Sequence, residues 1–236
     1  MKNCIVLLLS LLSFTLLSQS EELNQKISVN EDMGYTLHLA VGLSSYEGDL
    51  HCFEDENLGM LSNSKLAFGL GVSKKLTKAV SLGLNYRMIS LEGSDADFAE
   101  QSHLRRGFSF NNTIHEINAR VDYEPFVNKG WKLRPYIYGG IGAALGIPEV
   151  DYNKDGLPNN DLITQINEDE AQSGGASVVA PLGFGVKTKI SKDIIIAGEA
   201  GLRFLANDYL DGVSKSGNSN INDYYGMGAV VVSYSF

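Results

Sequence analysis

The feature that most constrains this chain is a two-residue hydrophobic period that recurs eight times and runs to the last residue. The final stretch, Gly228–Phe236, places Val230, Val232, Tyr234 and Phe236 on one face and Ala229, Val231, Ser233 and Ser235 on the other. Side chains alternate across a strand, so this is a strand between two different environments. Chain ends fray unless something ties them down, so a strand carried to the terminus must be paired. The same alternation appears in Tyr35–Tyr46, Lys65–Lys75, Ala79–Leu91, Phe108–Phe126, Trp131–Leu145, Ser177–Ile190 and Ile194–Leu205. Within Phe108–Phe126 the phase shifts: Phe108, Phe110 and Ile114 are even-numbered, whereas Ile117, Ala119, Val121 and Tyr123 are odd. One extra residue near His115–Glu116, a β-bulge, is expected to account for the shift.

The connections alternate as well. Thr77-Lys78, Val127–Gly130 and Ser191–Asp193 are of hairpin length, while the other connections run to about 18, 16, 31 and 18 residues. Short turns at one end and long loops at the other is the plan of an outer-membrane barrel. The expected fold is all-β: an eight-stranded antiparallel up-and-down transmembrane β-barrel of the OmpA-like kind, over residues 35–236. Its short turns would be periplasmic and its long loops extracellular.

Alternation alone does not say which face is inside. A soluble lipocalin-like barrel turns its apolar face inward, and a membrane barrel turns it to lipid. The polar face decides in favour of the membrane barrel. It is mostly Gly, Ala, Ser and Thr, with a few charges: Arg87, Glu116, Arg120, Glu124, Arg134, Lys187, Glu199 and Arg203. A surface in water carries many more long charged side chains. Small residues with a few mixed charges suit the packed interior of a small barrel. Those charges should pair there as a lumen network, because a lone buried charge is expensive. Tyr35, Tyr86, Tyr123, Trp131, Tyr224 and Tyr234 fall near strand ends on the apolar face, as girdle aromatics do.

Residues 1–20 read as a secretory signal peptide. Lys2 precedes an apolar run from Ile5 to Leu17, and Ser18-Gln19-Ser20 is a small-residue cleavage site. Residues 21–34 then form a short periplasmic N-terminal segment. The net charge of −9 becomes −10 without residues 1–20, which argues against nucleic acid as a partner. Of the two cysteines only Cys52 follows the signal peptide, so no internal disulfide is expected. Charge divides between the two ends. The long loops hold 19 of the 28 acids, and the turns carry Lys74, Lys75, Lys78, Lys129, Lys132, Lys189 and Lys192. A basic periplasmic rim can steer an acidic partner.

Signals for chemistry are sparse. Asp151–Gly156, "DYNKDG", matches the start of a calcium loop, with Asp151, Asn153 and Asp155 as oxygen ligands. The closing bidentate Glu is missing, Leu162 stands in its place, and an acidic Asx-type turn is the competing reading. The histidines have no ligand spacing, and no nucleophile elbow is present. His103 lies near Asp95, Asp97 and Ser102, but spacing without geometry is not a site. No enzymatic activity and no cofactor are expected. The expected partners are outer-membrane lipid and the barrel assembly machinery. Outer-membrane barrels commonly end on an aromatic thought to be read during assembly, here Tyr234 and Phe236.

Five stretches carry a family resemblance: "SSYEGDL" (Ser44–Leu50), "RRGFSFNNTIHEI" (Arg105–Ile117), "RPYIYGGIG" (Arg134–Gly142), "APLGFGVK" (Ala180–Lys187) and "DYLDGVS" (Asp208–Ser214). In this order the chain resembles the PorG-type outer-membrane proteins of Bacteroidetes, a family of unknown function within the OmpA-like barrel superfamily. The more specific motif residues are Tyr46, Gly48, Asp49, Asp208, Tyr209 and Asp211. The resemblance implies an eight-stranded barrel and a component of the type IX secretion system, linked to periplasmic ring subunits. The alternative is a stand-alone structural barrel or narrow porin.

Overall fold

A computed structural model describes residues 34–47, 64–95, 107–152, 160–207, 210–216 and 223–236. The expected signal peptide 1–20, nearly all of segment 21–34, and Gly48, Asp49, Cys52, Asp97, Ser102, His103, Asn153, Asp155, Asp208 and Tyr209 lie outside them.

The strands are β1 (Tyr35–Glu47), β2 (Lys65–Lys75), β3 (Val80–Ser94), β4 (Ser109–Tyr123), β5 (Leu133–Gly146), β6 (Glu149–Asp151), β7 (Gly175–Lys189), β8 (Ile194–Leu205) and β9 (Tyr224–Ser235). Each long strand pairs antiparallel with its neighbours, and β1 pairs with β9 from Thr36↔Ser235 to Glu47↔Tyr224, so eight strands close into a barrel. The three-residue β6 continues β5. Asn111↔Glu149 keeps the register set by His115↔Leu145, and the strand is interrupted only at Ile147-Pro148.

The pairing defines the stagger. One circuit passes from Ser45 through Gly226, Leu202, Leu182, Gly139, Val121, Leu82 and Lys74 to Tyr35, ten residues before its start. Eight strands with that stagger tilt by about 40° and leave an interior just wide enough for side chains to fill.

The outward face is apolar. It includes Leu37, Leu39, Val41 and Leu43 on β1, Leu182, Phe184 and Val186 on β7, and Val230 and Val232 on β9, each between 42% and 61% exposed. Covering the exposed half of one such side chain is worth roughly 1 kcal/mol. A belt of them around the whole barrel supplies on the order of tens of kcal/mol to whatever covers it. No helix among the described residues is long and apolar enough to cross a membrane.

Strand β4 has no bulge. Its pairing with β3 runs unbroken from Val80↔Tyr123 to Ser94↔Ser109, with Arg87 opposite Glu116 and Met88 opposite His115. Its even-numbered residues from Phe110 to Arg120 face inward and are all buried. What changes along β4 is the surroundings. Below His115 the interior is polar and the exterior apolar. Above it, inward Phe110, Ile114, Ile89 and Leu91 form an apolar core, while outward Ser90, Glu92, Asn111 and Thr113 are polar. The wall formed by β3 and β4 therefore inverts its polarity where it leaves the apolar belt, and the hydrophobic phase shifts without an inserted residue.

The turn end is built as the sequence suggests. Thr77 Oγ1 accepts from the backbone N–H groups of Ala79 and Val80, and Gly130 (φ 66°) closes the turn between β4 and β5. The third long loop contains a helix, α1 (Asn160–Gln172).

Candidate functional site: the filled lumen and its two ends

Eight-strand closure points alternate residues of every strand at one axis, and their sizes are matched across strands. A methyl group on Gly69 would collide with the Arg87 guanidinium, one on Gly185 with the Tyr136 ring, and one on Gly183 or Gly201 with the Tyr138 hydroxyl. Glycine is needed there because a large inward side chain from another strand lies over the backbone.

Arg87, Glu116, Arg120, Glu124, Arg134, Lys187, Glu199 and Arg203 lie on the inward rows, buried or half-buried. Glu199 is the hub of the middle layer. Arg120 donates from Nη2 to Glu199 Oε1 (2.7 Å) and from Nη1 to Oε2 (3.0 Å), a bidentate pair. Tyr136 Oη donates to the same carboxylate at 2.7 Å, and Arg87 Nη2 lies 3.6 Å from it. Arg120 also holds Asp122 at 2.7 Å and stacks over the Tyr138 ring, 4.1 Å from its centroid. A second cluster surrounds Glu116, which accepts from Tyr225 Oη at 2.6 Å and from Asn118 Nδ2 at 2.5 Å. Arg203 Nε is 3.7 Å from Glu116. His38 links Ser233 Oγ (2.8 Å) and Ser73 Oγ (2.7 Å) across β9, β1 and β2.

At the turn end Glu124, 2% exposed, meets Lys187 Nζ at 2.7 Å and Arg134 Nη1 at 3.6 Å. Lys187 also lies over the Tyr136 ring, 4.9 Å from its centroid.

At the loop end the lumen is closed by packing. Tyr46, Phe108, Phe110, Ile114, Tyr225 and Met227 from the barrel meet Tyr152, Ile166, Leu210 and Val213 from the loops in one buried cluster. Two polar latches hold the cap. Tyr46 Oη donates to Asp211 Oδ2 (2.5 Å) and Asp223 Oδ1 (2.8 Å). On α1, Asp169 accepts from the backbone N–H groups of Ser214, Lys215 and Ser216 and from Ser216 Oγ. Burial, with Asp169, Glu170 and Asp211 nearby, pushes the Tyr152 phenol up, so it stays protonated and donates to the Gly212 carbonyl at 2.6 Å.

Of the motif residues, Tyr46 and Asp211 thus meet, although 165 residues separate them. Asp151 is exposed in β6, and no group of three metal-ligating side chains forms among the described residues. Phe236 donates its N–H to the Tyr35 carbonyl (3.0 Å) and stacks on Tyr35 and Tyr234. Sequence reasoning missed Asp122, Tyr136, Tyr138, Asn118 and Tyr225 as network members. Their position on the inward register was the available signal. It also missed Asp169 and Asp223, whose roles depend on how the loops fold.

No curated protein matches the sequence. Three solved structures resemble the fold. Neisserial surface protein A has 13% identity and TM-score 0.46, with 87% of this chain and 98% of that chain covered. Ail, the attachment invasion locus protein of Yersinia pestis, has 10% identity and TM-score 0.47, with 87% and 100% covered. A major outer membrane protein from Thermus thermophilus has 11% identity and TM-score 0.51, with 86% and 99% covered. The last shares the closed antiparallel barrel, so the fold is that of outer-membrane β-barrels. A family model spans residues 11–236, nearly the whole barrel chain, and the protein belongs to that family, described as "Domain of unknown function (DUF6089)".

Proposed function

We propose that this protein is a non-enzymatic outer-membrane β-barrel that serves as a component or membrane anchor of the type IX secretion machinery and contacts its periplasmic subunits. The observation that carries the reading is the filled interior. Ion pairs occupy the middle of the lumen, and a buried apolar cluster closes its loop end. A barrel of this kind acts through what it holds at its ends rather than through what it passes. The apolar belt favours residence in a bilayer, and β-barrels are the strand architecture that can span one. The resemblance of the "YEGDL" and "DYLDGVS" stretches to PorG-type proteins supports the secretion role. The exposed Lys78, Lys129, Lys132, Lys189 and Lys192 at the turn end supply a surface for periplasmic partners.

Extraction from native membranes in mild detergent, followed by identification of co-purified proteins, tests the proposal. Periplasmic ring subunits should be recovered with the barrel. Their absence, together with intact secretion and a weakened outer membrane on gene deletion, would replace this reading with a stand-alone structural barrel.

A further inference from the structure

We infer that the turn-end mouth of the lumen is a receptor for carboxylates, and that the partner docks by inserting an acidic peptide segment into it. This inference rests on the proposed periplasmic contact and specifies its chemistry. On β2 the inward residues are Ala67, Gly69, Gly71 and Ser73, so Lys75 continues the inward row. On β5 Arg134 shares the inward row with Tyr136 and Tyr138, and on β7 Lys187 and Lys189 continue the row of Gly183 and Gly185. Arg134 and Lys187 are direct cross-strand neighbours. These four cations therefore face the axis of the barrel, Arg134, Lys187 and Lys189 from the adjacent strands β5 and β7 and Lys75 from β2 on another side. By contrast, Lys74 lies on the outward row, with its ammonium 5.3 Å from the centroid of the outward Tyr35 ring.

The four are close enough to act as one group. Lys75 feels the charges of Glu124, Lys187, Arg134 and Lys189. Glu124 is the carboxylate set among them. It bonds Lys187 through Oε1, while its buried Oε2 has no hydrogen-bond partner among the described residues and lies 3.6 Å from Arg134. The next carboxylates inward, Asp122 and Glu199, are both bonded to Arg120. Four cations around one carboxylate leave an excess of positive charge at the turn end of the lumen, where Lys75, Arg134 and Lys187 are half-buried and screened less than at an open surface. Such a cluster attracts anions.

Geometry selects the source of the anion. Phospholipid headgroups surround the barrel laterally and meet the outward row. A ligand that reaches Lys75, Arg134, Lys187 and Lys189 together must enter along the axis from the turn side. Further inward the Arg120–Glu199–Tyr136 layer fills the lumen, so the cations are met by side chains of a docking peptide rather than by a transiting solute. Exposed Lys78, Lys129 and Lys192 on the turns extend the attractive field beyond the mouth.

The test uses the mature chain in nanodiscs and a fluorescent hexaglutamate peptide as probe. The mouth variant is Lys75→Gln/Lys189→Gln, which leaves the Glu124–Lys187 bond in place. Heat-modifiable migration on gels checks that the variant barrel is folded. The expected result is peptide binding that weakens as salt rises from about 50 to 300 mM and about tenfold weaker binding in the mouth variant. The turn variant Lys78→Gln/Lys129→Gln/Lys192→Gln should lose less than about threefold. Equal peptide binding by wild type and the mouth variant would overturn the inference. So would a mouth variant that loses only retention of anionic phospholipid. Ring subunits that co-purify equally with wild type and the mouth variant would sink this inference and leave the secretion reading standing. A peptide-binding mouth in a barrel that recovers no ring subunit would do the reverse.

Discussion

At the scale of single residues, the interior is governed by the cost of burying charge. Glu199 is the clearest case, because one carboxylate satisfies Arg120 twice, accepts from Tyr136 and faces Arg87. Removing one partner of a buried network leaves the others desolvated and unpaired, which costs about 3–5 kcal/mol. Glu199→Ala should therefore lower stability by that amount, and Glu199→Gln, which keeps the shape, by less. Urea unfolding in lipid vesicles, followed by fluorescence of Trp131, the single tryptophan, measures both. A loss for Glu199→Ala below about 1 kcal/mol, the value of an exposed pair, would mean that water screens the network. Phe236 illustrates a different constraint. It is 65% exposed, and its backbone N–H closes the seam against Tyr35. Deleting it should reduce assembled barrel in membranes more than removal of loop residues does, read as the heat-modifiable fraction. Unchanged yield would count against a C-terminal assembly role.

At the scale of elements, β4 is the most instructive. Its even rows face the interior along the whole strand, past the point where a bulge was expected. Period-two reasoning assumes that each face meets one environment over the length of a strand. A strand longer than the apolar belt violates that assumption, since its inward face meets ion pairs at one end and an apolar cap at the other. Single cysteines placed along β4, in a background lacking Cys4 and Cys52, can separate the two descriptions. Positions 113, 115, 117, 119 and 121 should react with maleimide reagents from outside, and 114, 116, 118 and 120 should be protected. Exchange of the two patterns above position 115 would restore the bulge. The helix α1 was missed for a related reason. "NDLITQINEDEAQ" reads as an acidic loop by charge, although Leu162 and Ile166 sit four apart, as on one face of a helix. That face has meaning only once the barrel mouth lies beneath Ile166.

At the scale of the whole molecule, two regions of opposite polarity share one cylinder. On β3 and β4 a wall apolar outside and polar inside gives way, at the level of Met88 and His115, to one polar outside and apolar inside. The second region packs like a small soluble barrel, with loops as its lid, so the lumen has no continuous aqueous route through the described residues. In planar bilayers the purified protein should show no stable conductance steps. A persistent open level would require the cap to leave the mouth and would favour a narrow porin.

Strand number, antiparallel order, the assignment of turns and long loops to opposite ends, and the period that sets the lumen charges on one row could be read from the sequence. Each follows from the period of side chains along a strand and the cost of exposing apolar surface, which are local properties. The partners of those charges could not be read. Which acid meets which base depends on a stagger of ten residues around the ring, so Glu199 meets Arg120 across the lumen. Likewise, the junction of Tyr46 with Asp211 and Asp223, the docking of Asp169 on Ser214–Ser216, and the inversion of polarity along β4 come from closure. Only when the first and last strands pair do residues far apart in the chain share one interior, and only then is it settled which faces lie in the belt and which lie above it.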